Sequence, residues 1–172
     1  LQLLLPGEVA APGTPTGKTS ALPIAQAVGT SFDVTVNAVD ANWNVVSSVT
    51  DVVAITNSVA SDAATSLLPA NAALVGGTGT FTVTLNRAAT NHRLVASDVT
   101  NSAKTANTSS NVVVTAGAYA KLLITLTGET YLPGTATGKG NTLTSSAINT
   151  NTTVTVRAVD AHWNLVLSLI HI

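Results

Sequence analysis

Between residues 40 and 51 the chain carries oxygen-bearing side chains at a spacing that could bind calcium. Asp40, Asn42, Asn44, Ser48 and Asp51 stand at positions 1, 3, 5, 9 and 12 of the calcium-loop pattern. In such loops carboxylate and amide oxygens surround the ion. Asp40, Asn42 and Asn44 are therefore weak candidate metal ligands.

The rest of the pattern argues against a metal site in this segment. Position 6 is Val45, where the loop needs glycine, and a related second segment places His162 and His171 at positions 3 and 12. Asp and Asn are also common in metal-free turns, because their side chains bond to nearby backbone amides and tolerate left-handed conformations. We therefore predict a turn without a metal, and no cofactor.

Both tryptophans of the chain lie in nearly the same phrase, AVDANWNVV around Trp43 and AVDAHWNLV around Trp163, 120 residues apart. An indole has a flat apolar face and a polar edge, so each ring could stack on a sugar. Alternatively, each ring closes the end of a core in a chain that is only 3% aromatic. The first interpretation makes Trp43 and Trp163 ligand-binding residues, and the second makes them structural.

No residues are spaced for catalysis. His92, His162 and His171 share no local spacing, and no serine or carboxylate is placed to complete a triad or a glycosidase pair. Glu8 and Glu129 occupy matching turns, which indicates structural repetition and not a catalytic pair. We therefore predict that the chain is not an enzyme.

The composition excludes several classes of partner. Charged residues are 9% of the chain, against roughly 25% in an average soluble protein. A net charge of −1 without a basic patch argues against nucleic acid or an anionic membrane as partner. No apolar run approaches the roughly 18 residues of a membrane span, so no membrane insertion is expected. The absence of Cys excludes disulfides and thiolate metal sites.

A repeat of about 120 residues organises the chain. PGTPTGK at residues 12–18 returns as PGTATGK at residues 133–139, and the tryptophan phrase returns with seven of nine letters kept. We predict a complete unit at residues 1–117 and a truncated second unit at residues 118–172. The last six residues, LSLIHI at 167–172, depart from the first unit and resemble translated adapter read-through in a metagenomic fragment. We expect them to be non-native; the alternative is a true C-terminus that has diverged.

Apolar and polar residues alternate with the period of half-buried β-strands. Strands are predicted at residues 1–5, 32–38, 51–56, 80–85, 93–98 and 111–115, all antiparallel, with turn residues between them. The pattern predicts an all-β protein, a Greek-key β-sandwich of immunoglobulin type, without the cysteine pair of antibody domains. The expected buried residues are Val34, Val36, Phe81, Val83 and Leu85, and the expected exposed ones are Thr35, Thr82 and Thr84. Because the second unit lacks most strands, Val154, Val156 and Ala158 should be exposed or should pair through an open edge.

Three motifs together resemble the bacterial immunoglobulin-like domains that stack in invasin- and intimin-type adhesins. They are A-x-D-A-x-x-N-x-V, G-T-x-T-F-T-V-T-L and L-V-A-S-D. The chain departs from that family at Trp43 and Trp163, where many members have glycine, and in its longer insertion at residues 12–29. The resemblance implies a non-catalytic structural or adhesive stalk repeat of a bacterial secreted or cell-surface protein.

The same resemblance implies an extracellular or cell-surface location. The implied partners are neighbouring repeats of the same chain, with surface glycans or host-cell ligands as further possibilities. A carbohydrate-binding module that uses Trp43 and Trp163 is the alternative.

Overall fold

The structure is a computed structural model that describes residues 1–19, 22–58, 65–144 and 151–166. Within these ranges the chain is all-β and contains no helix, hence none long and apolar enough to cross a membrane. The strands are β1 (Gln2–Leu4), β2 (Gln26–Ala27), β3 (Ser31–Asn37), β4 (Val52–Asn57), β5 (Ser66–Leu67), β6 (Ala72–Ala73), β7 (Thr78–Leu85), β8 (Ala89–His92), β9 (Leu94–Asp98), β10 (Asn107–Thr108), β11 (Val112–Thr115), β12 (Lys121–Leu126), β13 (Thr130–Tyr131), β14 (Lys139–Gly140) and β15 (Val154–Val159).

The strands form several sheets, almost entirely antiparallel. Two sheets have four strands, in the orders β1-β3-β7-β5 and β10-β9-β4-β6, and a third has the order β2-β11-β8. β12 pairs with β15, and β13 pairs with β14. No described strand before residue 118 pairs with a described strand after it. The architecture is consistent with a β-sandwich, and every strand predicted in the first 117 residues is present within two residues of its expected bounds.

The core lies between the sheets of the first unit. Alternate residues of β3 and β7 face it, and Val34 and Val83 are fully buried. The opposing sheets contribute Val53, Leu94 and Val112, which are also fully buried. The predicted burial of the five apolar residues is confirmed; the buried set is Leu3, Leu5, Val28, Phe32, Val34, Val36, Ala38, Val53, Ile55, Leu74, Phe81, Val83, Leu85, Leu94, Ala96, Val112 and Val114.

The prediction that Thr84 is exposed is wrong. Ser31 of β3 and Leu67 of β5 lie on either side of it in the sheet, and its Oγ1 is 2.8 Å from Ser31 Oγ. Thr82 is exposed as predicted, and Thr35 is half-buried. Alternation along a strand identifies the two faces, but it does not report which neighbours cover the outer one.

The expectation that all strands pair in antiparallel fashion is also wrong. β2 runs parallel to β11, with Gln26 opposite Val114 and Ala27 opposite Thr115. The chain between β1 and β2 is long enough to leave the first sheet and to join the sheet of β11, where it runs in the same direction as its new neighbour.

The second unit repeats one strand pair of the first. Leu3 is opposite Val36 between β1 and β3, and Ile124 is opposite Val156 between β12 and β15. No described third strand joins β12 and β15, so Val154 and Val156 are 54% and 56% exposed, as predicted. Ala158 is half-buried, and residues 167–172 lie outside the described residues.

Candidate functional site

The two tryptophan phrases form two turns of the same construction. Residues 40–44, the first tryptophan turn, follow β3 and are closed by a bridge between Val39 and Val45. The Asp40 carboxylate accepts hydrogen bonds from the backbone amides of Asn42 (2.8 Å) and Asn44 (2.9 Å) and from the Asn44 side chain. Asp40 therefore organises the turn through backbone amides, as an Asp side chain does in metal-free turns.

Residues 160–164, the second tryptophan turn, are built in the same way. Asp160 Oδ1 accepts from the backbone amides of His162 and Asn164, each at 2.8 Å, and from the Asn164 side chain. The closing bridge joins Val159 to Leu165. The recurrence of Asp and Asn in the phrase is thus explained by the bonds that close the turn.

Each tryptophan adopts a left-handed backbone conformation. The φ angles are 65° at Trp43 and 67° at Trp163. A positive φ is uncommon for an aromatic residue, so the surrounding bonds must impose it. In both turns the tryptophan amide donates to the aspartate carbonyl at 3.2 Å, and the aspartate amide donates to the carbonyl of the final asparagine at 2.9 Å.

A glycine-rich loop, at residues 12–18 in the first unit and 133–139 in the second, packs against each tryptophan. Gly13 donates its amide to the carbonyl of Asn42 at 2.8 Å, and Gly134 donates to the carbonyl of His162 at the same distance. A β-carbon on Gly17 would overlap the Trp43 ring, and one on Gly138 would lie 2.6 Å from Trp163 Cγ. The glycine-rich loop and the tryptophan phrase recur together because each indole ring packs where only glycine leaves enough space.

An ion pair fixes each of these loops to the turn that follows the preceding strand, β1 or β12. Lys18 Nζ lies 2.9 Å from Glu8 Oε2, and Lys139 Nζ lies 3.0 Å from Glu129 Oε2. Glu129 also accepts the Leu126 amide at 2.9 Å, and this bond, followed by those from Lys139, lowers the pKa of the Glu129 carboxyl. The matched glutamates therefore have a structural role in both units.

The two turns differ in their surroundings. Asp40 and Asn44 of the first turn are exposed, whereas Asp160 and Asn164 of the second turn are each 1% exposed. Two units that share one local design thus present one open turn and one covered turn.

The first unit covers the second turn through three hydrogen bonds. The Gly117 amide donates to Asp160 Oδ2 at 2.9 Å, and the Ala88 amide donates to Asn164 Oδ1 at 2.7 Å. The Asn164 Nδ2 donates to the carbonyl of Asn86 at 2.9 Å. We call this contact the junction, and the groups at residues 86, 88 and 117 the far end of the unit.

Two further side chains of the second unit lie near the junction: His162 contacts the first unit, and Lys121 contacts the second tryptophan turn. The His162 imidazole fills the space over Gly29, where a β-carbon would overlap Nε2. Lys121 Nζ donates to the carbonyl of Ala161 at 2.9 Å and lies 3.4 Å from the centroid of the Trp163 ring, a cation–π contact. A positive charge thus stands over one face of Trp163.

The chemistry available at these turns is limited. The oxygens of Asp40 are already engaged by amide donors, and Asn42 and Asn44 contribute backbone amides to the same carboxylate. Across the described residues no three His, Asp or Glu side chains approach closely enough to hold a metal ion. Trp43 and Trp163 are both half-buried, so neither presents a fully open ring.

A cavity of about 290 Å³ lies beside the first turn, with Leu1, Asp40, Asp51, Asp98 and Lys104 in its lining. Burial raises the pKa of Asp51, and so does the neighbouring Asp98 carboxyl, to which the protonated Asp51 carboxyl donates a hydrogen bond. Asp40, Asp51 and Asp98 thus form an acidic cluster beside the first tryptophan turn.

The histidines do not converge on one site. His92 is buried in the first unit with Nε2 2.7 Å from the carbonyl of Arg87, and His162 lies at the junction over Gly29. His171 is outside the described residues. The sequence pattern did not predict Asn86, Ala88 and Gly117 as partners of the second turn, since two of the three act only through backbone amides and Asn86 through its carbonyl.

No protein-family model, curated protein or solved structure gives a significant match to the chain. The resemblance to bacterial immunoglobulin-like domains therefore stays a prediction.

Proposed function

We propose that this protein is a non-catalytic spacer: tandem immunoglobulin-like units in the stalk of a bacterial secreted or cell-surface protein. The observation that carries the proposal is the burial of Asp160 and Asn164 against the far end of the first unit. A turn that closes one unit also fastens that unit to its neighbour. In repeat proteins of this kind each unit contacts mainly the next one.

The strand order supports the immunoglobulin-like part of the proposal. The sheet β1-β3-β7-β5 corresponds to the first, second, fifth and fourth principal strands, which is the A-B-E-D order of immunoglobulin constant domains. The opposing strands β4, β9 and β11 supply the other side of the core, in the place of C, F and G. This assignment supports the proposed Greek-key connection.

The junction has the features of a stiff connection. Only five residues separate β11 from β12, and the Ala120 amide donates to the carbonyl of Val159 at 2.9 Å. The Gly117 amide bonds to a buried carboxylate, and hydrogen bonds to charged groups are worth about 1.5–3 kcal/mol. Because a short linker and several side-chain bonds restrain the same contact, the second unit should keep one orientation.

The composition supports an extracellular location and a role without chemistry. Charged residues are only 9% of the chain, and Thr, Ser and Asn make up most of its polar residues, a composition common in secreted bacterial repeat proteins. The partners proposed are neighbouring units of the same kind, with an adhesive ligand bound elsewhere in the stalk or at its tip.

Distance measurements between spin labels test the spacer role. The chain has no Cys, so Thr56→Cys and Thr127→Cys, both at exposed positions, place one label on each unit. Electron–electron double resonance should give one narrow distance distribution. Asn164→Ala should broaden it, because that substitution removes the bonds to Ala88 and Asn86.

Asn44→Ala is the matched control for this experiment. It removes the same bonds within a turn but no junction bond, so the distribution should stay narrow. A broad distribution in the unsubstituted chain would contradict the spacer role. A glycan array adds an independent arm: sugar binding that is lost in Trp43→Ala would favour a carbohydrate-binding module.

A further inference from the structure

We propose that the first tryptophan turn is an open docking surface, and that its partner is the far end of another unit of this kind joined ahead of it. This inference rests on the proposed function, since it extends the same junction to the other end of the first unit. The partner is defined by its chemistry: two backbone amides and one carbonyl, placed as in Gly117, Ala88 and Asn86.

The two tryptophan turns have the same construction. Each is closed by the same Asp and Asn bonds, and each holds its tryptophan at the same positive φ angle. Each turn accepts a hydrogen bond of 2.8 Å from a backbone amide of its glycine-rich loop. The side-chain groups that a neighbour can reach are therefore presented in the same arrangement.

The Asp and Asn side chains of the two turns have different partners. In the second turn, Asp160 Oδ2 and Asn164 Oδ1 accept amides from the first unit, and Asn164 Nδ2 donates to it. In the described part of the chain, Asp40 and Asn44 bond only within their own turn and are exposed. The groups that form the junction in one turn are present and open to solvent in the other.

The linker residue Lys121 shows how a preceding unit would meet the first tryptophan turn. Leu1 corresponds to Leu122, because the glycine-rich loops recur 121 residues apart. Lys121, immediately before Leu122, reaches both Ala161 and Trp163. A unit joined ahead of Leu1 through the same linker would place its own lysine beside Ala41 and Trp43.

One difference between the turns bears on the fit. His162 fills the space over Gly29, whereas the corresponding residue of the first turn is the shorter Asn42. The proposed docking therefore depends on the Asp40 and Asn44 bonds and does not use an imidazole contact.

An extended chain tests the proposal. Residues 1–121 are placed ahead of the complete chain, so that Lys121 precedes Leu1 as it precedes Leu122. Thr56→Cys in the leading unit and in the following unit supplies two spin labels. The expected result is one narrow distance distribution, and Asn44→Ala in the following unit should broaden it.

The same substitution in the leading unit is the control. It alters an identical turn that has no unit ahead of it, so it should leave the distribution narrow. Thermal unfolding gives a second readout, in which Asn44→Ala should lower the melting temperature more in the following unit than in the leading one.

A broad distribution in the extended chain, or equal effects of the two Asn44→Ala variants, overturns the proposal. If the Thr56 and Thr127 labels of the original chain still give a narrow distribution, only this inference fails. If that distribution is broad as well, the spacer role fails with it.

Discussion

The indole of Trp43 occupies the space that a side chain at Gly17 would need, since a β-carbon built there would overlap the ring. Gly138 and Trp163 repeat this relationship in the second unit. Each tryptophan is thereby held between its own turn and the loop in front of it. This packing accounts for the recurrence of the loop and the phrase as a pair.

Substitution of Gly17 should be more costly than substitution of Gly13 in the same loop. Both have a positive φ, of 70° and 78°, so alanine should cost about 1–2 kcal/mol at either position through backbone strain. A β-carbon on Gly13 meets nothing within 4 Å. Gly17→Ala should therefore lower the free energy of unfolding by about 1–3 kcal/mol more than Gly13→Ala, as denaturant unfolding would show. Equal costs would contradict the ring packing.

The pKa of Asp40 should lie below its ordinary value. The side-chain amide of Asn44 is the largest cause, followed by the backbone amide of Asn44, and both favour the carboxylate. Because the pKa is lower in the folded chain, this contribution to stability is present above the ordinary Asp pKa and is lost as the pH falls through the folded one.

An NMR titration of the carboxyl carbons measures this effect. Asn44→Ala should raise the pKa of Asp40 toward its ordinary value and leave the raised pKa of Asp51 in place, since burial and Asp98 cause that shift. An unchanged Asp40 titration in Asn44→Ala would show that the Asn44 side chain does not stabilise the Asp40 carboxylate.

Calcium should not stabilise the chain. The Asp40 oxygens already accept amide donors, and a ligand that binds only the folded state must raise its stability. Differential scanning calorimetry should give the same melting temperature in millimolar calcium and in chelator. A rise of several degrees with calcium, absent in Asp40→Asn, would restore the metal interpretation of residues 40–51.

The exposed face of β15 should tolerate a substitution that the core does not. Val36 is fully buried and Val156 is 56% exposed, although the two occupy matching positions in β3 and β15. Val36→Thr should cost about 1–3 kcal/mol because it buries a hydroxyl, and Val156→Thr should stay within about 0.5 kcal/mol. Denaturant unfolding of the monomer measures both changes in the free energy of unfolding. Equal losses in the two variants would mean that β15 is covered in solution.

Local patterns predicted six strands of the first unit and their inner faces, and they missed five short strands: β2, β5, β6, β8 and β10. Alternation placed Val34 and Phe81 in the core, because a residue's face depends only on its position along a strand. The burial of Thr84 and the parallel run of β2 were missed, since both depend on which strands become neighbours after the chain has folded.

The residues of the two tryptophan turns could be predicted from the sequence, but the contact of the second turn with the first unit could not. The phrase around Trp43 and Trp163 indicated a turn built twice, and the structure has two such turns. The same letters give an exposed Asn44 and a buried Asn164, so no local pattern distinguishes them. Their difference arises from Ala88 and Asn86, whose partners are side chains more than 70 residues away.

Amide hydrogen exchange at Ala88 tests the junction most directly, because this amide donates to Asn164 Oδ1 across the two units. The account predicts that it is protected in the intact chain and that Asn164→Ala accelerates its exchange about tenfold, the equivalent of one hydrogen bond of about 1.4 kcal/mol. Asn44→Ala should leave the rate unchanged. An Ala88 amide that exchanges at the rate of an unprotected one in the intact chain would contradict the docking of the second turn.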